Sequence, residues 1–121
     1  LPISSLIPGD LYLLDQGSHY RFATTDATRV EALGHPDAAQ QEDYTEVLRA
    51  HIALATVRFP RGTRGEQIDT VARDVLWRSG RNYGHGTGHG VGFVLNVHEG
   101  PCRSRPVAGM PTLGPSWPSG R

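Results

Sequence analysis

The pattern of apolar and polar positions divides the chain into three zones. In residues 1–34, three short stretches rich in Leu, Thr, Val and aromatic residues (11–15, 20–26 and 28–33) are typical of β-strands. The pair Gln16-Gly17 directly follows the first stretch and is a turn signal. This zone therefore predicts a β-hairpin with an adjacent extended segment.

Residues 35–80 predict two helices. Pro36 fits the first turn of the first helix and Pro60 lies beyond its end. Thr63 and Glu66 are three apart, as in a capping box that opens the second helix, and Gly80 fits the C-terminal cap of that helix. Apolar residues recur at helical spacing in both segments, at Tyr44, Val47, Leu48, Ile52 and Ala55, and at Ile68, Val71, Ala72, Val75 and Leu76.

The third zone is rich in glycine and proline. A glycine–histidine segment at residues 84–92 overlaps a short apolar run at 91–97, and the last 22 residues contain five prolines, four glycines and three serines. That ending shows neither helical nor strand periodicity and predicts an irregular tail. The chain as a whole therefore predicts an α+β fold.

The composition excludes several classes of protein and of binding partner. Twelve arginines balance twelve acidic residues, so the formal net charge is zero, and this gives no electrostatic reason to expect nucleic acid or an anionic membrane as partner. No apolar run approaches the roughly 20 residues of a transmembrane helix. Cys102 is the single cysteine, which excludes an intrachain disulfide framework. These features, with no signal-peptide pattern at the first residues, predict a cytoplasmic location.

Two aspartates are the first candidates for chemistry. Asp15 and Asp26 lie eleven positions apart on neighbouring predicted strands, which a hairpin can bring side by side. Two facing carboxylates need a cation or a proton between them, because like charges repel. The alternative is that both are turn residues capping the strand ends.

Three histidines are the second set of candidates. His85 and His89 lie in the glycine-rich segment, whose glycines would let the backbone approach a compact site; the alternative is a flexible loop with solvated histidines. His98 could donate to a substrate oxygen or relay a proton, or be a surface histidine at a strand end. Two aspartates and one imidazole together suit Mn²⁺, Zn²⁺, Co²⁺ or Fe²⁺ in a carboxylate-rich site.

Six segments carry a resemblance to a known family. They are YLLDQG (12–17), TTDATR (24–29), HIALATVRFPRGTRG (51–65), VLWRSG (75–80), HGTGHGVG (85–92) and LNVHEGP (95–101). They resemble the Xaa-Pro aminopeptidases, members of the M24 "pita-bread" metallopeptidase group together with methionine aminopeptidase, prolidase and creatinase. The resemblance covers about residues 8–102. It implies a partial pita-bread fold, with residues 1–102 as part of the catalytic domain and residues 103–121 as a divergent tail.

The resemblance also implies residue roles. Asp15, Asp26 and His89 match metal ligands, His98 matches a histidine that contacts substrate, and His85 matches one that lines the substrate pocket. The implied reaction removes the N-terminal residue from a peptide with proline in second position, using two divalent metal ions, with Mn²⁺ favoured over Zn²⁺ or Co²⁺. Family members are often homodimers.

One departure from the family pattern affects the expected activity. The family uses two further glutamate ligands after the VHEGP motif, whereas no Asp, Glu or His follows residue 99 here. We therefore expect this chain to be inactive alone. A partial pita-bread fold also leaves sheet edges and apolar helix faces uncovered, so we expect only marginal stability. The alternatives are a non-catalytic pita-bread fragment or peptide-binding module, or a relative of prolidase or creatinase.

Overall fold

Two β-hairpin-like pairs and two helices make up the described part of the chain. The computed structural model describes residues 4–94 and 96–104. The elements in chain order are β1 (Leu11–Tyr20), β2 (Ala23–Ala32), α1 (Ala38–Thr56), α2 (Gly65–Arg78), β3 (Gly88–Val91) and β4 (His98–Ser104). The predicted α+β class is confirmed. The predicted irregular tail is wrong for residues 100–104, which pair with β3 as part of β4, and its remainder, from position 105 onward, lies outside the described residues. Within the described ranges, neither helix is both long and apolar enough to cross a membrane.

The first hairpin differs from the predicted one in the position of its turn. β1 and β2 pair antiparallel from Leu11 opposite Ala32 to Tyr20 opposite Ala23, so the turn lies at residues 21–22. The predicted turn at Gln16-Gly17 is wrong, and the two predicted strands at 20–26 and 28–33 form one strand. A Cβ on Gly17 would lie 2.8 Å from the carbonyl oxygen of Thr25. Glycine at this position therefore permits close approach of the paired strand instead of a chain reversal.

Helix α1 begins at a reciprocal capping box. The Asp37 carboxylate accepts a hydrogen bond from the Gln40 backbone N–H at 2.8 Å, and the Gln40 side chain accepts one from the Asp37 N–H at 2.9 Å. Gln40 Nε2 also donates to the carbonyl of Gly9 at 3.1 Å, just before β1. The cap therefore starts the helix two residues after the proline that the sequence placed in its first turn, and it joins α1 to the hairpin.

The N-cap of helix α2 lies one residue later in the chain than predicted. The N-cap is Arg64, whose backbone N–H donates to the Gln67 side chain at 2.8 Å. Thr63 instead donates its hydroxyl to the carbonyl of Pro60 at 2.8 Å, within the preceding turn. The predicted pairing of Thr63 with Glu66 is therefore wrong by one position, because the turn uses the Thr63 hydroxyl.

The end of α2 agrees with the prediction. Gly80 has a φ of 73°, and the Arg81 N–H donates to the Leu76 carbonyl at 2.8 Å while the Gly80 N–H donates to the Trp77 carbonyl at 3.0 Å. These two bonds form a Schellman motif, which glycine favours because it adopts positive φ without strain.

A small core lies between the two helices. Ala50 of α1 packs with Ala72 and Leu76 of α2, and Leu54, Val75 and Tyr83 lie around them. By contrast, the predicted apolar positions of α1 are largely solvent-exposed, for example Tyr44 at 55%. The hairpin is exposed as well, with Leu13 at 61%. Large apolar surfaces therefore lie open on both the hairpin and α1.

Candidate active site

The hairpin register places the two candidate aspartates on one face. Asp15 lies opposite Thr28, and Asp26 is two residues before Thr28 on the same strand. Side chains two apart on a strand share a face, so Asp15 and Asp26 are diagonal neighbours, a relation that spans about 7–8 Å. Both lie inside their strands rather than at the turn, which rules out the alternative of turn aspartates.

Asp15 is held by the strand opposite it. Its Oδ1 accepts a hydrogen bond from the Thr28 hydroxyl at 2.8 Å, and the residue is solvent-exposed. A carboxylate that is oriented by a neighbour and open to solvent on one side retains oxygen lone pairs for another partner. Asp15 is therefore available on the face that also carries Asp26.

Asp26 and His89 form the closest contact between candidate residues. Asp26 Oδ2 lies 3.1 Å from His89 Nε2, and the two side chains are 21% and 26% exposed. The other ring nitrogen of His89, Nδ1, lies 2.9 Å from the carbonyl oxygen of Gly90. A carbonyl can only accept, so the Nδ1 proton is donated to it, and Nε2 is the atom turned toward the carboxylate.

This arrangement gives His89 an acceptor at each ring nitrogen. A neutral imidazole can donate from only one of them, so its Nε2 lone pair would face the negative Asp26 carboxylate. A proton on Nε2 or a cation shared by both groups removes the repulsion. Fixing Nδ1–H on a backbone carbonyl is also how metal-binding histidines present Nε2 as ligand.

The two remaining histidines take different positions. The His98 ring stands edge-on to the His89 ring, with centroids 4.2 Å apart, so it lies beside the Asp26–His89 contact. His85 lies on the segment before β3, where its ring is 5.6 Å from that of Tyr83 and its Nδ1 is 2.8 Å from the Gly86 carbonyl. The structure thus brings Asp26, His89 and His98 together, with Asp15 on the same strand face and His85 against Tyr83.

The glycine-rich segment is partly a strand. Residues 88–91 form β3, which pairs antiparallel with β4 through a register shift between His89 and Gly90. The alternative of a flexible loop is therefore wrong for these four residues. At Gly92 a Cβ would lie 1.7 Å from the carbonyl oxygen of Asn96, so only glycine fits where the chain leaves β3. Pairing with β4 fixes the strand that carries His89.

A buried ion pair lies next to the start of this strand, and none of the sequence motifs above includes it. Asp69 and Arg73 of α2 are 5% and 6% exposed, and Arg73 Nε lies 2.6 Å from Asp69 Oδ2. The available signal was an acidic and a basic residue four apart, between apolar residues on the buried face of an amphipathic helix. Next to the pair, burial raises the pKa of the Tyr83 phenol above its usual value, although the nearby Arg73 charge opposes the shift.

The side chains of Asp15, Asp26 and His89 are of the kinds that bind divalent metals, but they are too few to complete a metal site. Two carboxylates and one imidazole are donors that divalent first-row metals accept. A separation of 3.1 Å between Asp26 and His89 also suits two ligands of one cation, each about 2.1 Å from it. However, no three His, Cys, Asp or Glu side chains converge on one point among residues 4–94 and 96–104. The described residues therefore supply part of a metal site.

The family of the chain follows from its similarity to known proteins. The model of metallopeptidase family M24 matches residues 3–115, which is most of the chain. The chain therefore belongs to metallopeptidase family M24.

Two similar proteins are named as aminopeptidases. A probable Xaa-Pro aminopeptidase P of Sordaria macrospora is 51% identical over 98 residues, which are 81% of this chain and 16% of that protein. Aminopeptidase P1 of Lotus japonicus is 50% identical over 98 residues, again 81% of this chain but 15% of the relative. The chain thus spans about a sixth of the length of these relatives.

Solved structures agree with this family. X-prolyl aminopeptidase of Caenorhabditis elegans, described as a cytosolic enzyme with a di-nuclear active site, matches with a TM-score of 0.76 and 46% identity over 81% of this chain and 16% of its own. Prolidase of Pyrococcus furiosus matches with a TM-score of 0.70 and 34% identity over 78% of this chain and 28% of its own. The expected partial pita-bread fold is confirmed.

Proposed function

We propose that the chain is part of the catalytic domain of an Xaa-Pro aminopeptidase, which removes the N-terminal residue from peptides with proline in second position. Residues 1–102 would belong to that domain and residues 103–121 to a divergent tail. The observation that carries the proposal is the 3.1 Å contact between Asp26 and His89, on a strand face shared with Asp15. The 51% identity to a protein of that name supports the choice of substrate.

Asp15, Asp26 and His89 would hold two divalent metal ions together with carboxylates that the described residues do not supply. Bound ions, with Mn²⁺ favoured over Zn²⁺ or Co²⁺, would supply the Lewis acid that polarises a scissile carbonyl and acidifies water. The Gly90 carbonyl keeps the Nδ1 proton of His89 in place, so that Nε2 remains the ligand atom.

His98 and His85 would act on the peptide. His98 stands edge-on to His89 and would donate a hydrogen bond to the carbonyl oxygen of the substrate, where negative charge develops during hydrolysis. His85, beside Tyr83, would line the pocket for the substrate. A cytoplasmic location and a homodimer complete the proposal.

A chimeric enzyme tests the proposal. The 98 matched residues of this chain would replace their counterparts in the Sordaria macrospora relative. We expect Mn²⁺-dependent cleavage of an Xaa-Pro-Yaa peptide and little cleavage of the same peptide with alanine in second position. Asp26→Asn and His89→Ala should each abolish cleavage, whereas His51→Ala, an exposed histidine on α1, should not change it.

A folded chimera that binds Mn²⁺ but cleaves neither peptide would overturn the assignment. The 121-residue chain is tested in parallel, because its expected inactivity remains a prediction. Turnover by the chain alone would show that ligands beyond Asp15, Asp26 and His89 are available to it.

A prolidase-type substrate is the second candidate, and the similarity to the Pyrococcus furiosus prolidase favours it. The two activities differ in substrate length, since a prolidase cleaves the dipeptide Xaa-Pro. Cleavage of the dipeptide in preference to the tripeptide by the chimera would favour this candidate over the aminopeptidase.

A further inference from the structure

The buried ion pair of α2 hydrogen-bonds to one segment outside the helix, residues 82–87. Beside its bond to Asp69, Arg73 donates from Nη1 to the Asn82 side chain at 3.2 Å and to the Tyr83 carbonyl at 2.9 Å, and from Nη2 to the His85 carbonyl at 2.7 Å. The second carboxylate oxygen of Asp69 accepts from the Thr87 hydroxyl at 2.6 Å. The pair therefore holds residues 82–87 by hydrogen bonds, and these residues belong to neither a helix nor a strand.

This segment leads directly into the strand of the candidate site. Thr87 immediately precedes β3, and His89 is two residues further along. His89 contacts both Asp26 and His98. Because only two peptide units separate Thr87 from His89, a shift of the Thr87 backbone also shifts His89 and changes both contacts. A site of this kind loses function when its groups move by about 0.5 Å.

A gain in folding stability does not by itself explain why an ion pair is buried at this position. Removing two charges from water costs about as much as their attraction returns, so a buried ion pair is poor evidence of stabilisation. Its directional bonds, by contrast, specify where three carbonyl and side-chain oxygens and one hydroxyl must lie. A planar guanidinium that donates to three residues of one segment fixes both the position and the orientation of that segment.

We propose that Asp69 and Arg73 are positioning residues, which hold residues 82–87 against α2 and thereby set His89 against Asp26 and His98. This inference rests on the proposed function, since it assigns the pair to the same site. The pair itself does not touch substrate. Thr87 transmits its effect to β3 through the hydroxyl bonded to Asp69.

Nuclear magnetic resonance of the 121-residue chain tests the proposal without activity. The readouts are the nuclear Overhauser effect between the His89 and His98 rings and amide exchange at residues 85–90, both measured well below the melting temperature. Thr87→Val keeps the side-chain shape and removes the hydroxyl. Arg73→Lys keeps the positive charge and removes the planar guanidinium with its several N–H donors. We expect each to weaken the ring–ring effect and to accelerate exchange about tenfold or more.

The same helix offers matched controls. Asp74 and Arg78 form an ion pair with the same spacing, but their side chains are 48% and 78% exposed. Asp74→Asn and Arg78→Lys should leave both readouts unchanged, and Thr87→Ser, which keeps the hydroxyl, should restore them. A stabilising role alone predicts a lower melting temperature and exchange that accelerates by a similar factor at residues 85–90 and in α1, with the ring–ring effect unchanged in Thr87→Val and Arg73→Lys. This result would overturn the proposal.

The test is separable from that of the proposed function. If the chimera cleaves no peptide while the ring–ring effect depends on Thr87 and Arg73, the positioning role stands and the enzymatic assignment fails. If the unmodified chain shows no contact between the His89 and His98 rings, the positioning proposal is wrong whatever the chimera does. In an active chimera, Arg73→Lys should lower kcat more than it raises KM.

Discussion

Removal of one member of the buried ion pair is the most decisive test of the fold. In Asp69→Ala, Arg73 loses its carboxylate partner while its side chain remains only 7% exposed. The Thr87 hydroxyl loses its acceptor in the same step. Arg73 keeps its bonds to the segment at 82–87, but these partners are neutral and do not balance its charge.

The expected loss is large for a chain of this size. Leaving an unbalanced charge in a buried site costs about 3–5 kcal/mol. Domain stabilities are about 5–15 kcal/mol, so Asp69→Ala removes a major part of the free energy of unfolding. The exposed pair on the same helix gives the contrast, because Asp74→Ala should cost only about 0.3–0.5 kcal/mol at 48% and 78% exposure.

Urea denaturation followed by far-ultraviolet circular dichroism measures the loss in free energy of unfolding for both Asp69→Ala and Asp74→Ala. Asp69→Asn extends the test if the alanine variant does not fold, since its amide oxygen still accepts one hydrogen bond; its loss should lie between those of the two alanine variants. Equal losses for Asp69→Ala and Asp74→Ala would refute the reasoning, because burial is what distinguishes these pairs.

Three further predictions concern other parts of the chain. Leu76→Ala should cost about 2–5 kcal/mol in urea denaturation because Leu76 is 4% exposed, whereas Leu48→Ala, at 45% exposure, should cost far less. Gly92→Ala should destabilise the chain by about 1–3 kcal/mol, since the backbone must move to admit the methyl group, and Gly84→Ala, where a Cβ meets nothing within 4 Å, is its control in the same assay. The raised pKa of Tyr83 means that the folded state holds this proton more tightly than the unfolded state, so the contribution of Tyr83 to stability should be constant below about pH 10 and fall above it. Tyr83→Phe should remove that fall in denaturation curves measured at increasing pH, and an unchanged fall would assign it to another group.

The exposed apolar residues of the hairpin and α1 agree with the expectation of marginal stability, which remains a prediction. Broad, weakly cooperative thermal unfolding at low concentration is the expected result. A sharp two-state transition would contradict it.

Local chemistry in the sequence was sufficient for several features. Gly80 ended α2 as predicted, because a Schellman cap depends only on a few neighbouring backbone groups and on positive φ. The predicted apolar face of α2 includes the buried Ala72 and Leu76, because helical periodicity is a property of the chain itself. The segments that resemble Xaa-Pro aminopeptidases were also legible in the sequence, and the family they indicated is confirmed.

The local structure was harder to predict at residues whose conformation depends on a contact with another segment. Gln16-Gly17 has the composition of a turn, but Gly17 is needed inside β1 by the carbonyl of Thr25 on the opposite strand. The Thr63 hydroxyl could cap a helix, but it bonds Pro60 instead. In each case two local solutions were available to the residue, and a contact made elsewhere selected one of them.

The sequence by itself determined the helices, the family and the residue types of the candidate site. Only the tertiary structure decided that Asp15 and Asp26 share a strand face, that Asp26 meets His89 at 3.1 Å, and that a buried ion pair holds the segment before β3. The physical reason is sequence separation. Strand register and the contacts of Asp69 and Arg73 join residues many positions apart, and their energies depend on burial and orientation, which no local pattern of residues specifies.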